Sequence, residues 1–143
     1  MKRLNNKVCV ITGAARGIGL AIAESFVKEG AVVILSDVNE DAVKEQAARL
    51  GAKSLKLDVQ CEDHWERLYD AYPEVDVVVN NAGVTGFEDS HAPQDPENAA
   101  LEDWRQVHRV NLDGTFLGCR YAIKAMRPKG AGSIINISSR SGM

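Results

Sequence analysis

The chain has 143 residues, 45% of them hydrophobic and 26% charged, with a formal net charge of −3. These values predict one globular domain over residues 1–143 with room for a core, and without a Lys/Arg cluster a nucleic-acid partner is not expected. No apolar run reaches bilayer length, and the polar N-terminus leads into an apolar run too short for a signal-peptide core, so a cytoplasmic protein with no membrane partner is expected. Three cysteines, an odd number without CxxC spacing, predict neither a disulfide framework nor a zinc site. Cys9 in a strand-like run and Cys119 in a helix-like run read as small apolar core residues.

Lys7 to Ile11 is a continuous apolar strand of the kind covered on both faces. Ile18, Ile22 and Phe26 then recur at i+4 and predict one buried helix face, closed by Gly30. Ala31 to Leu35 is a second strand. Asn39 caps a helix that runs to Leu50 and stops at Gly51. Ser54 to Val59 is a third strand, Glu62 to Tyr72 a helix stopped by Pro73, and Val75 to Val79 a fourth strand. Residues 84–100, with Gly86, Pro93 and Pro96, have loop chemistry, and their length makes them a candidate functional loop.

From Leu101 to Met126 the helical period returns. Leu112, Phe116, Cys119, Ile123 and Met126 form one stripe, with Val110, Leu117 and Tyr121 apolar beside it. A helix apolar on more than one side is expected to be covered on more than one side. Ser133 to Ile137 is a fifth strand. The alternation predicts an α/β fold, a doubly wound parallel sheet of Rossmann-like type, with ligands at the carboxyl ends of the strands.

Chemistry concentrates at those carboxyl ends. Gly13, Gly17 and Gly19 lie between the first strand and first helix, where glycines permit a tight turn, a close approach to a pyrophosphate and close helix packing. The helix N-terminus adds unpaired N–H groups and partial positive charge. Asp37 follows the second strand at the offset where a carboxylate meets the ribose hydroxyls of NAD and repels the 2′-phosphate of NADP. Arg16 could meet such a phosphate, but an acid in that pocket penalises it directly. NAD is therefore the expected cofactor.

Further motifs follow in order. They are Asp58-Val59 after the third strand, Asn80-Asn81-Ala82-Gly83 after the fourth, Val110-Asn111-Leu112 in the long helix, and Gly132 to Ser139 around the fifth strand. With the Thr12-Gly13-Ala14-Ala15-Arg16-Gly17-Ile18-Gly19 turn, they resemble the short-chain dehydrogenase/reductase family over essentially the whole chain. The resemblance implies cofactor contacts at Thr12, Gly13, Arg16, Gly17, Ile18, Gly19, Asp37, Asp58, Val59, Asn81, Ala82 and Gly83. Asp58 and Val59 would meet the adenine ring, and the Asn-Asn-Ala-Gly segment would steady the sheet beside the cofactor. Asn111 would hold a water of a proton relay. Ser139, with Ser138 as fallback, would hydrogen-bond the substrate oxygen as charge develops on it.

The family's acid/base tyrosine, activated by a lysine four positions on, would lie beyond Ser139 and past Met143. None of Tyr69, Tyr72 and Tyr121 has a lysine at that spacing, and His64, His91 and His108 sit at no motif. The resemblance thus implies an N-terminal portion that stops after about the fifth strand, leaving that strand as an exposed edge. Three readings follow: part of an NAD-dependent oxidoreductase acting on a secondary alcohol or ketone, an inactive truncated product, or a non-catalytic dinucleotide-binding module. The resemblance also implies a homodimer or homotetramer through the 101–126 helix, and Gly86 and Phe87 as pocket residues.

Overall fold

Short runs of β-branched residues set between helices leave the backbone one economical arrangement, parallel strands joined by crossover helices. The computed structural model, which describes residues 2–88 and 91–140, has that arrangement. In chain order it runs β1 (Val8–Ile11), α1 (Gly17–Lys28), β2 (Val32–Asp37), α2 (Glu40–Leu50), β3 (Lys53–Lys56), α3 (Glu62–Ala71) and β4 (Val77–Asn80). After the long loop come α4 (Leu101–His108), one turn of π-helix (Arg109–Asp113), α5 (Gly114–Met126), a short 3-10 turn (Arg127–Lys129) and β5 (Ser133–Asn136). The sheet is parallel with order β3-β2-β1-β4-β5.

Successive strand residues face opposite sides, so each strand feeds two cores. Register aligns Ile34, Val10, Val78 and Ile134 in one row, and the first three belong to the core under α3 and α5 with Trp65, Leu68, Leu117 and Tyr121. The alternate residues Cys9, Ile11, Val33, Leu35, Val77 and Val79 pack with Ala23, Val43 and Ala47 on the α1–α2 side. Helices on both faces make the fold doubly wound and Rossmann-like. Each fully buried Val, Leu or Ile contributes roughly 1.5–3 kcal/mol, so the two clusters dominate stability.

Several boundaries are read correctly from local chemistry. The Asn39 carboxamide accepts the Ala42 N–H as an N-cap, and Gly51 ends α2 in the left-handed conformation. Gly30 does the same beyond α1 with φ of 87°. β2 runs on past the expected end at Leu35, so that Asp37 is its last residue rather than a residue beyond it, while β3 is shorter than expected and ends at Lys56.

Two helix faces need correction. On α1 the buried residues are Gly19 and Ala23, whereas Ile18 is 65% exposed. On α5 the buried set is Gly114, Leu117, Gly118, Tyr121, Ala122 and Met126, while Leu112, Phe116 and Ile123 of the expected stripe are exposed. The cause is the same in both helices. Close approach to the chain beneath requires small residues: a Cβ on Gly19 would come within 2.2 Å of Gly13 O, one on Gly114 within 2.4 Å of Val59, and one on Gly118 within 2.0 Å of Asn80 Oδ1. Nor is residues 101–126 one continuous α-helix, because the π turn interrupts it.

Candidate functional site

The carboxyl ends of β1 to β4 open into one cavity of about 450 Å³. Its walls come from the β1–α1 turn (Gly13, Arg16, Gly17, Ile18), the end of β2 (Asp37, Val38), residues 57–60, residues 81–84, and Gln106 and Val110 from the helical segment. This is the crevice where strand order reverses about β1, with β2 on one side and β4 on the other.

The β1–α1 turn is fixed from below. The Thr12 hydroxyl donates to Val79 O (3.3 Å) and accepts the N–H groups of Asn81 (3.0 Å) and Ala82 (2.9 Å). Asn81 Nδ2 in turn donates to Thr12 O (3.0 Å) and Gly13 O (3.2 Å). Gly13 adopts φ of 63°, and a Cβ there would lie 2.8 Å from Ala82 Cα. A Cβ on Gly19 would strike Gly13 O at 2.2 Å. Thr12 and Gly19 therefore do not line the cavity as direct contacts; they hold up the turn that does. Asn81 lines it while its carboxamide braces the same turn.

Two features fit a dinucleotide. At the β1–α1 turn, α1 begins at Arg16 with no side-chain cap and no acidic residue in its first turn. Gly17 has φ of 59°, and a Cβ there would meet nothing within 4 Å, so the backbone is bare toward open space. Unpaired N–H groups and the helix dipole at such a terminus suit a phosphate. Against the same turn, the Asp37 carboxylate is held in place by the Ala15 N–H on Oδ2 (3.1 Å) and the Asn39 N–H on Oδ1 (3.0 Å). Asp37 and Arg16 both line the cavity, and no ion pair joins them.

Residues 57–60 form the third wall. The Leu57 N–H donates to Asp37 O, Asp58 Oδ1 accepts from Gln60 N and Nε2, and the buried Trp65 Nε1 donates to Val59 O at 3.0 Å. The Asp58 N–H donates to His64 Nδ1 at 2.9 Å. His64 thus does sit at a motif, contrary to the expectation for the three histidines. The Cys61 thiol beside it is pushed up by burial and by the Asp58 charge.

Asn111 sits in the π turn and clamps the segment that follows β4: Oδ1 accepts the Val84 N–H (2.8 Å) and Nδ2 donates to Val84 O (2.7 Å). Single π turns occur often at functional sites. Ser139 lies exposed in the segment after β5 and outside the cavity wall, as does Ser138. Gly86 and Phe87 also stand apart from the cavity. Gly86 is folded into a turn whose amides, with the Thr85 amide and hydroxyl, hold the Glu88 carboxylate, and Phe87 is 64% exposed. The Thr85 N–H in particular keeps the Glu88 carboxyl below the usual range.

Sequence reasoning missed Val38, Leu57, Gln60, Val84, Gln106 and, as a wall residue, Val110. Gln106 and Val110 are four apart on the side opposite the large apolar stripe, which is the one signal the chain offers for them. Cys119 is half-buried, not a core residue, and shares a polar cluster with Asn80 and Asn136. Among the described residues no group of His, Cys, Asp and Glu is placed to hold a metal, and no helix is long and apolar enough to cross a membrane.

Comparison with known proteins agrees with this geometry. The family model described as short chain dehydrogenase matches residues 7–143. The NADP-dependent (R)-specific alcohol dehydrogenase of Lentilactobacillus kefiri is 41% identical over 98% of this chain and 57% of its own length. The 3-beta-hydroxysteroid dehydrogenase of Comamonas testosteroni is 39% identical over 97% of this chain and 54% of its own. A solved structure described as gox2181 superposes with a TM-score of 0.87 at 27% identity, covering 98% of this chain and 56% of that one. The chain belongs to the short-chain dehydrogenase family, a family of oxidoreductases. It spans about half the length of the curated relatives it matches.

Proposed function

We propose that the chain forms the NAD-binding portion of an oxidoreductase that moves a hydride between nicotinamide and the carbon of a secondary alcohol or ketone. The observation that carries this is the cavity at the carboxyl ends of the strands, lined by both a bare helix N-terminus and a fixed carboxylate. When bound, the dinucleotide accepts or supplies the hydride. The first-turn amides of α1 would hold its pyrophosphate. Gly13 and Gly17 would let the backbone approach, and Asp37 would accept hydrogen bonds from ribose hydroxyls. Residues 57–60 would flank the adenine and Ala82 and Gly83 the middle of the cofactor.

Asp37 supports NAD over NADP, because a carboxylate held by two N–H groups cannot swing away from a 2′-phosphate without breaking both bonds. Calorimetric titration with the two cofactors tests this. Tighter NAD binding is expected, with the preference lost in Asp37→Ala; tighter NADP binding by the unaltered protein refutes it.

Ser139 is proposed to donate its hydroxyl to the substrate oxygen, and Asn111 to hold the 83–84 segment and a relay water. The 143 residues contain no Tyr-x-x-x-Lys. The chain alone is therefore expected to bind NAD with negligible turnover, and robust oxidation of secondary alcohols by it would overturn this account. Assembly of the complete protein into a dimer or tetramer is supported by Leu112, Phe116 and Ile123, exposed on one side of the helical segment. A complete protein that stays monomeric at micromolar concentration in the ultracentrifuge would refute it.

A further inference from the structure

We propose that His64 is a positioning residue that shapes the adenosine end of the cavity through the backbone of Asp58. The inference rests on the dinucleotide reading above and adds to it a residue that does not touch the ligand. A backbone N–H can only donate, so the 2.9 Å contact from Asp58 N requires His64 Nδ1 to be the acceptor, with the ring proton on Nε2. That fixes the neutral tautomer. The bond spans from the wall of the cavity to the first turn of α3, and it ties down the one amide at the corner between Leu57 and Val59.

The corner's other groups are already committed. The Leu57 N–H goes to Asp37 O, the Val59 carbonyl to Trp65, and Asp58 O to the Cys61 N–H. His64 completes this set from the side remote from the ligand. Without its acceptor the Asp58 N–H is left unpaired in a half-buried position, and the corner gains conformations in which the wall is displaced. A ligand that needs the ordered wall then binds more weakly, in proportion to the population that remains ordered.

The test measures binding of ADP-ribose and of reduced nicotinamide mononucleotide to the unaltered protein, His64→Leu, His64→Asn and His64→Gln. The asparagine amide oxygen reaches the place of Nδ1, whereas that of glutamine reaches beyond it. His64→Leu is expected to weaken ADP-ribose about fivefold, the size of one lost hydrogen bond. His64→Asn is expected to restore it to within about twofold, and His64→Gln to stay weakened; these follow from where each acceptor falls. The mononucleotide, which does not reach this wall, should bind all four alike. A merely structural role would weaken both ligands together.

ADP-ribose binding that is unchanged in His64→Leu, or unrescued in a folded His64→Asn, overturns the proposal. If His64→Leu fails to fold, equal affinities of the Asn and Gln variants overturn it. Failure of the dinucleotide reading shows differently, as no binding of ADP-ribose or NAD by the unaltered protein, and it removes this proposal as well.

Discussion

Replacing Thr12 by valine should damage this protein far more than its size suggests. The two side chains have nearly the same shape, so no cavity forms, and only the hydroxyl is lost. That hydroxyl accepts two N–H groups, from Asn81 and Ala82, and residue 12 is 1% exposed. Val79 O keeps a partner in the Thr12 N–H at 3.1 Å. Two orphaned donors at about 1.5 kcal/mol each give a loss of about 3 kcal/mol. For a chain of this length the unfolding entropy is about 0.3 kcal/mol/K, so the midpoint should fall by about 10 °C. Thr12→Ser keeps the oxygen and should lose less than half as much. Thermal and urea unfolding of the three proteins measures this, with NAD titration alongside. The glycine turn is braced by the same residues, so affinity should fall with stability in Thr12→Val. If Thr12→Val melts within about 1 °C of the original, below the loss expected for even one orphaned donor, the accounting of these donors is wrong.

Gly118→Ala should cost about 3 kcal/mol, the upper end for overpacking, because its Cβ would fall 2.0 Å from the Asn80 carboxamide. Adding Asn80→Ala should recover part of that loss, and additive effects in urea denaturation would contradict the contact. Asn39→Ala removes the cap of α2 and should cost about 1 kcal/mol by the same measurement. The Asp76 carboxyl is held below its usual range by Lys129 and then by the Val8 N–H. A depressed carboxylate contributes stability above its unfolded value near 3.9, and the contribution is lost as pH falls through that value and the folded one beneath it. Urea midpoints between about pH 3 and 6 should therefore fall less steeply in Asp76→Asn than in the original, and identical slopes would count against the pairing. Burial, with the Asp76 charge, pushes the Cys9 thiol up to about 11, so it should resist alkylation at neutral pH until the protein unfolds.

Most of the sheet was legible because parallel strands covered on both faces leave unbroken apolar runs, as at Val8–Ile11 and Val77 to Val79. Caps and glycine stops were legible for the same local reason. What misled was size. The closest contacts of α1 and of the 109–126 segment are made by Gly19, Gly114 and Gly118, which carry almost no hydropathic signal, so although Ile22, Phe26, Leu117, Tyr121 and Met126 pack on the core as their apolarity suggests, Ile18, Leu112 and Phe116 point elsewhere. At the site, motifs located Gly13, Gly17, Asp37 and Asp58 on the cavity wall. They could not separate residues that face the cavity from those that brace it, since Thr12 and Asn81 act through hydrogen bonds across 67 to 70 positions of sequence. His64 escaped notice because a histidine in the first turn of a helix announces nothing until its partner amide is in view.

The turn at Arg109–Asp113 also bears on how this gene can change. One widened turn shifts the phase of everything after it, here allowing Gln106 and Val110 to face the cavity while Gly114 faces Val59 and Gly118 faces Asn80. The π turn holds one residue more than an α turn, so removing a single codon within 109–113 would leave a regular helix with Gly114 and Gly118 still facing the same partners. A codon lost within α5 has no such extra residue to draw on and would rotate one half of that helix against the other by about 100°. Length variation among relatives should therefore collect in the turn and in the irregular stretch at 91–100, and spare α5.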